Sequence, residues 1–229
     1  LDRMAIVDAP TVISMDDPPT DIMRAKKDCS MAEGLRQLAD GHGDAFISAG
    51  STGALVVGAT MIVKRIRGIK RAALAPVIPK DEGMFMLIDS GANVECKPEY
   101  LMQFGVMGSI YMEKVMGVQN PRVGLVNVGT EDHKGGELQH EAFRMLREAP
   151  VNFIGNIEAR TVPSDGADVV VTDGFTGNVM LKLYEGVSAT LFKKVKGVML
   201  RRPLNKLAAL LLKKDFAALK KASDYNEYG

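Results

Sequence analysis

The chain has 229 residues, of which 46% are hydrophobic and 25% charged, with a formal net charge of +1. That length and balance predict a single α/β domain over 1–229, large enough for a core that needs no staples, and they argue against a protein that binds nucleic acid across its whole surface. No apolar run approaches the roughly 18 residues that span a bilayer, no signal peptide opens the chain, and Cys29 and Cys96 form no spacing motif, so a reducing cytosol is expected.

In chain order, Asp44–Ser48 reads as a buried strand, followed by the turn Ala49–Gly53 and an apolar helix through Val63. Met84–Asp89 is the next strand, turning at Ser90–Asn93 into a helix around Pro98 to Met116. Arg122–Val128 is the third strand, with Gly129–Gly136 as its loop and a helix over Glu137–Arg147. Asn152–Ile154 is a short strand, with Gly155–Arg160 after it. Asp168–Thr172 is the last, entering Asp173–Asn178 and a helix. Strands apolar on both faces and spaced by helices indicate a mostly parallel, doubly wound α/β sheet. Ligands in such sheets bind beyond the carboxyl ends of the strands, where all of these turns should lie.

From Gly197 the pattern changes. Leu200, Leu204, Leu207, Ala208 and Leu211 recur at helical spacing among Arg201, Arg202, Lys206 and Lys213. Asp215 would fall on that apolar stripe, so a turn is expected near Lys213–Asp215, with a second helix through Phe216, Leu219 and Lys220. The segment 197–222 therefore reads as an amphipathic helical hairpin within the domain. Between Lys193 and Lys221 there are ten Lys or Arg against one acid, Asp215. An apolar face backed by cations suits an anionic membrane surface or a dimer contact, through Leu200, Leu204, Leu207, Leu211 and Phe216. A solvated helix packing one face on the domain has the same pattern.

The turns Gly50-Ser51-Thr52-Gly53 and Gly174-Phe175-Thr176-Gly177 share one composition: glycine, hydroxyl, glycine, then a helix. Glycine admits close backbone approach, while hydroxyls and helix N-termini offer donors, so phosphate is the expected ligand of Ser51, Thr52, Gly53, Thr176 and Gly177. The same residues also make ordinary helix N-caps. No Walker pattern and no Gly-x-Gly-x-x-Gly spacing is present, which disfavours ATP and NAD. Lys134 is placed to neutralise an oxyanion, with Glu131 holding it, and Asn178 either caps its helix or donates to a bound carbonyl. Asp89, Asn93, Lys97 and Asp173 are supporting polar residues, with turn bracing as the ordinary role of the two aspartates. His133 and His140 lack metal spacing, and no metal or cofactor is expected. Neither a Gly-x-Ser-x-Gly elbow nor a cysteine with an evident base supplies a covalent nucleophile.

Five segments together resemble the PlsX family of phosphate acyltransferases. They are Ile47–Ala54; Asp89–Asn93 with Lys97-Pro98; Asn127–Glu131 with Lys134-Gly135; Phe153–Asn156 with Glu158–Arg160; and Val171–Asn178. The resemblance implies transfer of a long acyl group from acyl carrier protein to inorganic phosphate, giving acyl phosphate for bacterial phospholipid synthesis. It also implies a homodimer at the inner face of the cell membrane, beside a downstream membrane acyltransferase. The family's fold is similar to phosphotransacetylase and to isocitrate and isopropylmalate dehydrogenases. The family's opening strand and closing region have no counterpart here, so the chain is expected to be an incomplete family domain; Ser51 stands where the family often has Asn. The rival readings are an NAD-dependent dehydrogenase on a similar sheet and a non-enzymatic membrane-docked scaffold for acyl carrier protein.

Overall fold

In the computed structural model, residues 4–164 and 166–222 are described. The chain forms two compact units, Leu1–Ala72 and Ala73–Gly229.

The first unit is helical. A 3-10 turn at Pro19–Met23, α1 (Ser30–Ala39), α2 (Thr52–Gly58) and a π-helical turn at Ala59–Val63 close around Ile22, Cys29, Met31, Ala32, Leu35 and Ala54. The strand expected at Asp44–Ser48 does not form, and Ile47 is 94% exposed. An extended run becomes a strand only where a neighbour completes its backbone hydrogen bonds. Among the described residues of this unit, the one bridge is between Thr11 and Cys29.

The second unit holds a sheet of five strands: β1 (Val77–Pro79), β2 (Met84–Ile88), β3 (Arg122–Asn127), β4 (Asn152–Glu158) and β5 (Val169–Val171), in the order β1-β2-β5-β3-β4. β1 is an antiparallel edge strand, and the other pairs are parallel, as the apolar runs predict. Alternation along the strands sorts side chains to two faces. Met86, Ile88, Val123, Leu125, Val169 and Val171 pack under α3 (Pro98–Lys114) and α4 (Glu137–Glu148). Phe85, Leu87, Ile157 and Val170 lie on the other face, with Met180, Leu181 and Tyr184 of α5 (Gly174–Leu200).

Three local differences from the sequence reading have physical causes. β4 runs on to Glu158, because the register shift between Val123 and Gly124 lets Gly155, with φ of 98°, continue the ladder. α5 continues through Gly197 to Leu200, so the hairpin expected at 197–222 begins inside it. The break falls at Pro203, which cannot donate to a continuing helix and instead opens α6 (Pro203–Leu211), leaving Arg202 extended. The next break is at Leu212, just before the expected turn, and Lys213–Asp215 is the first turn of α7 (Lys213–Ala222).

Candidate active site at the carboxyl edge of the sheet

Because β2, β5, β3 and β4 are mutually parallel, the turns after them share one edge of the sheet. β5 lies between β2 and β3, so the Asp173–Asn178 corner is flanked by the Asp89–Asn93 turn and the Thr130–Gly135 loop.

Asp89 anchors the first turn. Its side chain is fully buried, and the carboxylate accepts five N–H donors. Oδ1 takes the backbone N–H of Leu74, Gly91 and Ala92 at 3.0, 3.1 and 3.0 Å. Oδ2 takes the Asn93 backbone N–H at 2.6 Å and its Nδ2 at 2.8 Å. Backbone N–H groups and one side-chain amide so arranged replace the water that burial takes from a carboxylate. Asn93 in turn accepts the Gly174 N–H at 2.8 Å, tying the turn to the start of α5.

That start is packed backbone on backbone. A Cβ on Gly174 would stand 2.6 Å from the Asn93 carbonyl oxygen, and one on Gly177 would overlap the Asp89 carbonyl oxygen. Only glycine allows the approach. Asn178 leans on the same turn, its side chain 3.9 Å from where a Cβ on Gly91 would be.

The anion at this helix N-terminus is the protein's own. Asp173 caps α5, accepting the Thr176 N–H at 2.9 Å and the Thr176 hydroxyl at 2.8 Å. Gly177 N–H donates to the Asp173 carbonyl at 2.9 Å. The donors assigned to phosphate at Thr176 and Gly177 are thus spent internally, while the Asn178 side chain is exposed. The matching corner in the first unit behaves alike. Ser51 is 8% exposed and caps α2, its hydroxyl accepting the Ala54 N–H at 3.4 Å, while Thr52 is exposed and Gly53 half-buried.

The third loop is held from below by two asparagines. Asn127 Nδ2 donates to the Lys134 carbonyl at 2.9 Å, and Asn156 Nδ2 donates to the Glu131 carbonyl at 2.9 Å. Lys134 N–H closes the loop onto the Glu131 carbonyl at 3.1 Å. Gly129 is buried beneath it: a Cβ there would meet Glu131 Oε2 at 2.7 Å and Lys134 Cγ at 3.1 Å. Both side chains fold over one glycine, and among the described residues Lys134 has no carboxylate within the 4.0 Å of an ion pair. His140 Nε2 lies 2.9 Å from the His133 carbonyl, which ties that ring to the loop. Lys97 is exposed at the entry to α3, its carbonyl accepting the Tyr100 N–H at 2.9 Å.

A sequence model described as "Fatty acid synthesis protein" matches residues 1–229. The chain belongs to this family, the PlsX-type phosphate acyltransferases. Over 228 residues it is 47% identical to "Phosphate acyltransferase" of Clostridium kluyveri and 48% identical to that of Alkaliphilus oremlandii, covering 100% of this chain and 68% of each relative. "Phosphate acyltransferase" of Clostridium acetobutylicum is 48% identical over 231 residues, covering 69% of that protein. Among solved structures, EutD phosphotransacetylase from Staphylococcus aureus superposes with a TM-score of 0.54 at 21% identity, covering 69% of this chain and 55% of that one, a likeness of fold.

For this PlsX-type chain the second unit brings Asp89, Asn93, Lys97, Glu131, Lys134, Asp173, Thr176, Gly177 and Asn178 to one sheet edge. Asn127 and Asn156 are the residues that sequence reasoning missed. Asn156 is buried, and its Oδ1 has no hydrogen-bond partner. A buried amide needs a polar partner, but with the strand expected to end at Ile154 that signal did not reach Asn156.

Elsewhere, an apolar groove of about 340 Å³ runs between α5 and the sheet, lined by Ile78, Phe85, Leu87, Val162, Met180 and Tyr184. The Tyr184 hydroxyl donates to the Pro79 carbonyl at 3.1 Å, and burial pushes its pKa up.

Proposed function

We propose that this chain transfers an acyl group from the thioester of acyl carrier protein to inorganic phosphate, releasing acyl phosphate and the free carrier thiol. The observation that carries the reading is similarity along the whole chain, at 47–48% identity, to proteins named phosphate acyltransferase. The sheet edge of the second unit supports it: a lysine free of ion pairs and an exposed amide flank a corner made tight by glycine.

In the proposed step a phosphate oxygen attacks the thioester carbonyl carbon. The new C–O bond forms, the carbonyl becomes an oxyanion, and collapse breaks the C–S bond, with the electron pair leaving on sulfur and a proton taken from solvent. Lys134 supplies positive charge to the phosphate and the oxyanion, and Asn178 donates its amide N–H to the carbonyl oxygen. Asp89, Asn93 and Asp173 fix the corner, and Thr176 and Gly177 give it shape. No covalent acyl-enzyme is required, since phosphate is itself the nucleophile and positioning supplies much of the acceleration.

The proposal extends to a membrane. Leu204, Leu207 and Leu211 are 80%, 58% and 77% exposed on α6, among the cations of that segment. Phe216 is half-buried and lines an apolar groove with Phe192 and Leu200. Phe175, Val179, Leu183, Val187 and Leu191 form an exposed stripe along α5 at every fourth residue, suited to a second copy of the chain. We read these faces as a homodimer attached to the anionic inner leaflet, where acyl phosphate passes to a membrane acyltransferase of phospholipid synthesis. Among the described residues no helix is long and apolar enough to cross a membrane.

The test is to incubate the chain with a long-chain acyl carrier protein thioester, with and without phosphate, and to trap acyl phosphate with hydroxylamine. Thioester loss that ignores phosphate would remove the reading.

A further inference from the structure

We propose that the exposed loop Lys64–Arg71 is a docking surface for a carboxylate-rich protein partner; resting on the reaction proposed above, that partner is the carrier that delivers the acyl thioester. Lys64, Arg65, Arg67, Lys70 and Arg71 place five cations in eight positions, and no Asp or Glu occurs between Asp44 and Asp81. Cations are locally dense here, as they are again between Lys193 and Lys221, in a chain whose formal net charge is +1.

The loop is folded. It leaves the π-helical turn through Lys64, at φ of 74°, and reverses at Gly68, at φ of 92°. Ile69 N–H donates to the Ile66 carbonyl at 3.0 Å, and the Arg65 guanidinium donates to the Lys70 carbonyl. All five cations are exposed. Lys64, Arg65 and Arg67 have no ion pair among the described residues, so no carboxylate there offsets their mutual repulsion. Between the two arginines Ile66 is 76% exposed.

A preformed loop with an apolar centre and a cationic rim has the layout of a protein contact, in which a buried anchor is ringed by polar groups. Membrane binding favours another layout, a broad apolar face with cations on its far side, as on α6. A partner surface of carboxylates around an apolar spot would relieve the repulsion and cover Ile66 together. Such contacts act mainly on the encounter rate and on salt dependence.

The experiment measures carrier binding directly, by fluorescence anisotropy of labelled acyl carrier protein, alongside turnover of the carrier thioester and of the same acyl group on a small uncharged thiol. For Lys64→Glu with Arg67→Glu, carrier affinity should fall on the order of tenfold or more and lose its salt dependence. KM for the carrier thioester should rise in step, with turnover of the small thioester unchanged. Ile66→Ser, which alters no charge, should weaken binding while leaving the salt slope intact. Failure of the parent chain to bind the carrier, or undiminished carrier binding by the charge-reversed variant, overturns the proposal. If the variant instead loses affinity for anionic vesicles while keeping the carrier, the loop is a lipid contact and the proposal is wrong. Salt-sensitive carrier binding without any phosphate-dependent turnover would fault the reaction and leave the docking surface standing.

Discussion

Gly177, in the first turn of α5, backs directly onto the Asp89 carbonyl of the turn after β2, with no room for a Cβ. A methyl group there has to push two backbones apart, because neither has a flexible end to yield. Gly177→Ala should therefore lower stability by roughly 1–3 kcal/mol, the usual cost of overpacking, and abolish phosphate-dependent thioester consumption. Denaturant unfolding and the turnover assay read the two effects separately.

Asp89→Asn is nearly isosteric but turns an NH2 toward N–H donors. At least one backbone N–H would be left unsatisfied in a buried site, at about 1–3 kcal/mol. Amide exchange should speed up most at Gly91, Ala92 and Asn93. Unchanged exchange there would mean that the turn holds without the carboxylate.

Lys134→Ala removes an ammonium that makes no ion pair among the described residues, so stability should move by less than about 0.5 kcal/mol. Turnover should fall roughly 100-fold or more, as for loss of one oxyanion-stabilising group. Turnover near that of the parent would remove Lys134 from the chemistry.

At the opposite edge of the sheet Lys80, whose side chain is 4% exposed, lies 2.8 Å from Asp168, and Arg122 reaches the same carboxylate at 3.2 Å. Burial alone would raise the Asp168 pKa, but the hydrogen bonds from Arg122 and Lys80 outweigh it and hold the group at about 2 against an ordinary 3.8. A carboxyl depressed in the folded state stabilises above its unfolded pKa and loses that contribution as pH falls through the folded one. The melting temperature should thus drop between about pH 4 and pH 2, and Asp168→Asn should flatten that part of the profile.

Leu207→Glu with Leu211→Glu alters two exposed positions, so folding should be untouched. Sedimentation with anionic vesicles should fall, while sedimentation at the parent level would count against attachment through α6.

Much of the sheet was legible because its cause is local. Met84–Ile88, Arg122–Asn127 and Val169–Val171 are apolar on both faces and bounded by glycine turns, and each forms where expected. What was missed depends on neighbours. Asp44–Ser48 has the pattern of a strand without a partner to pair with. Gly155 and Asn156 look like loop residues but continue β4, because β3 shifts register to meet them. Pro203 interrupts the leucine-spaced run, because a missing N–H ends a helix whatever its stripe. In the candidate site the glycine-hydroxyl corners were visible. Turn bracing by Asp173 was visible as well; that it takes both the N–H and the hydroxyl of Thr176, the donors expected for phosphate, was not.

The strand order has a consequence for how the molecule comes together. β5 is the last of the described strands along the chain yet sits between β2 and β3, bonded to both. As the polypeptide leaves the ribosome, β1 with β2 and β3 with β4 are each able to pair early, but these two half-sheets have no shared edge until Val169–Val171 has been made. Assembly must then wait on contacts between distant parts of the chain, which slows it and leaves unpaired edges open to other molecules meanwhile. Keystone placement of this kind means that a fault in three valines would split the sheet in two.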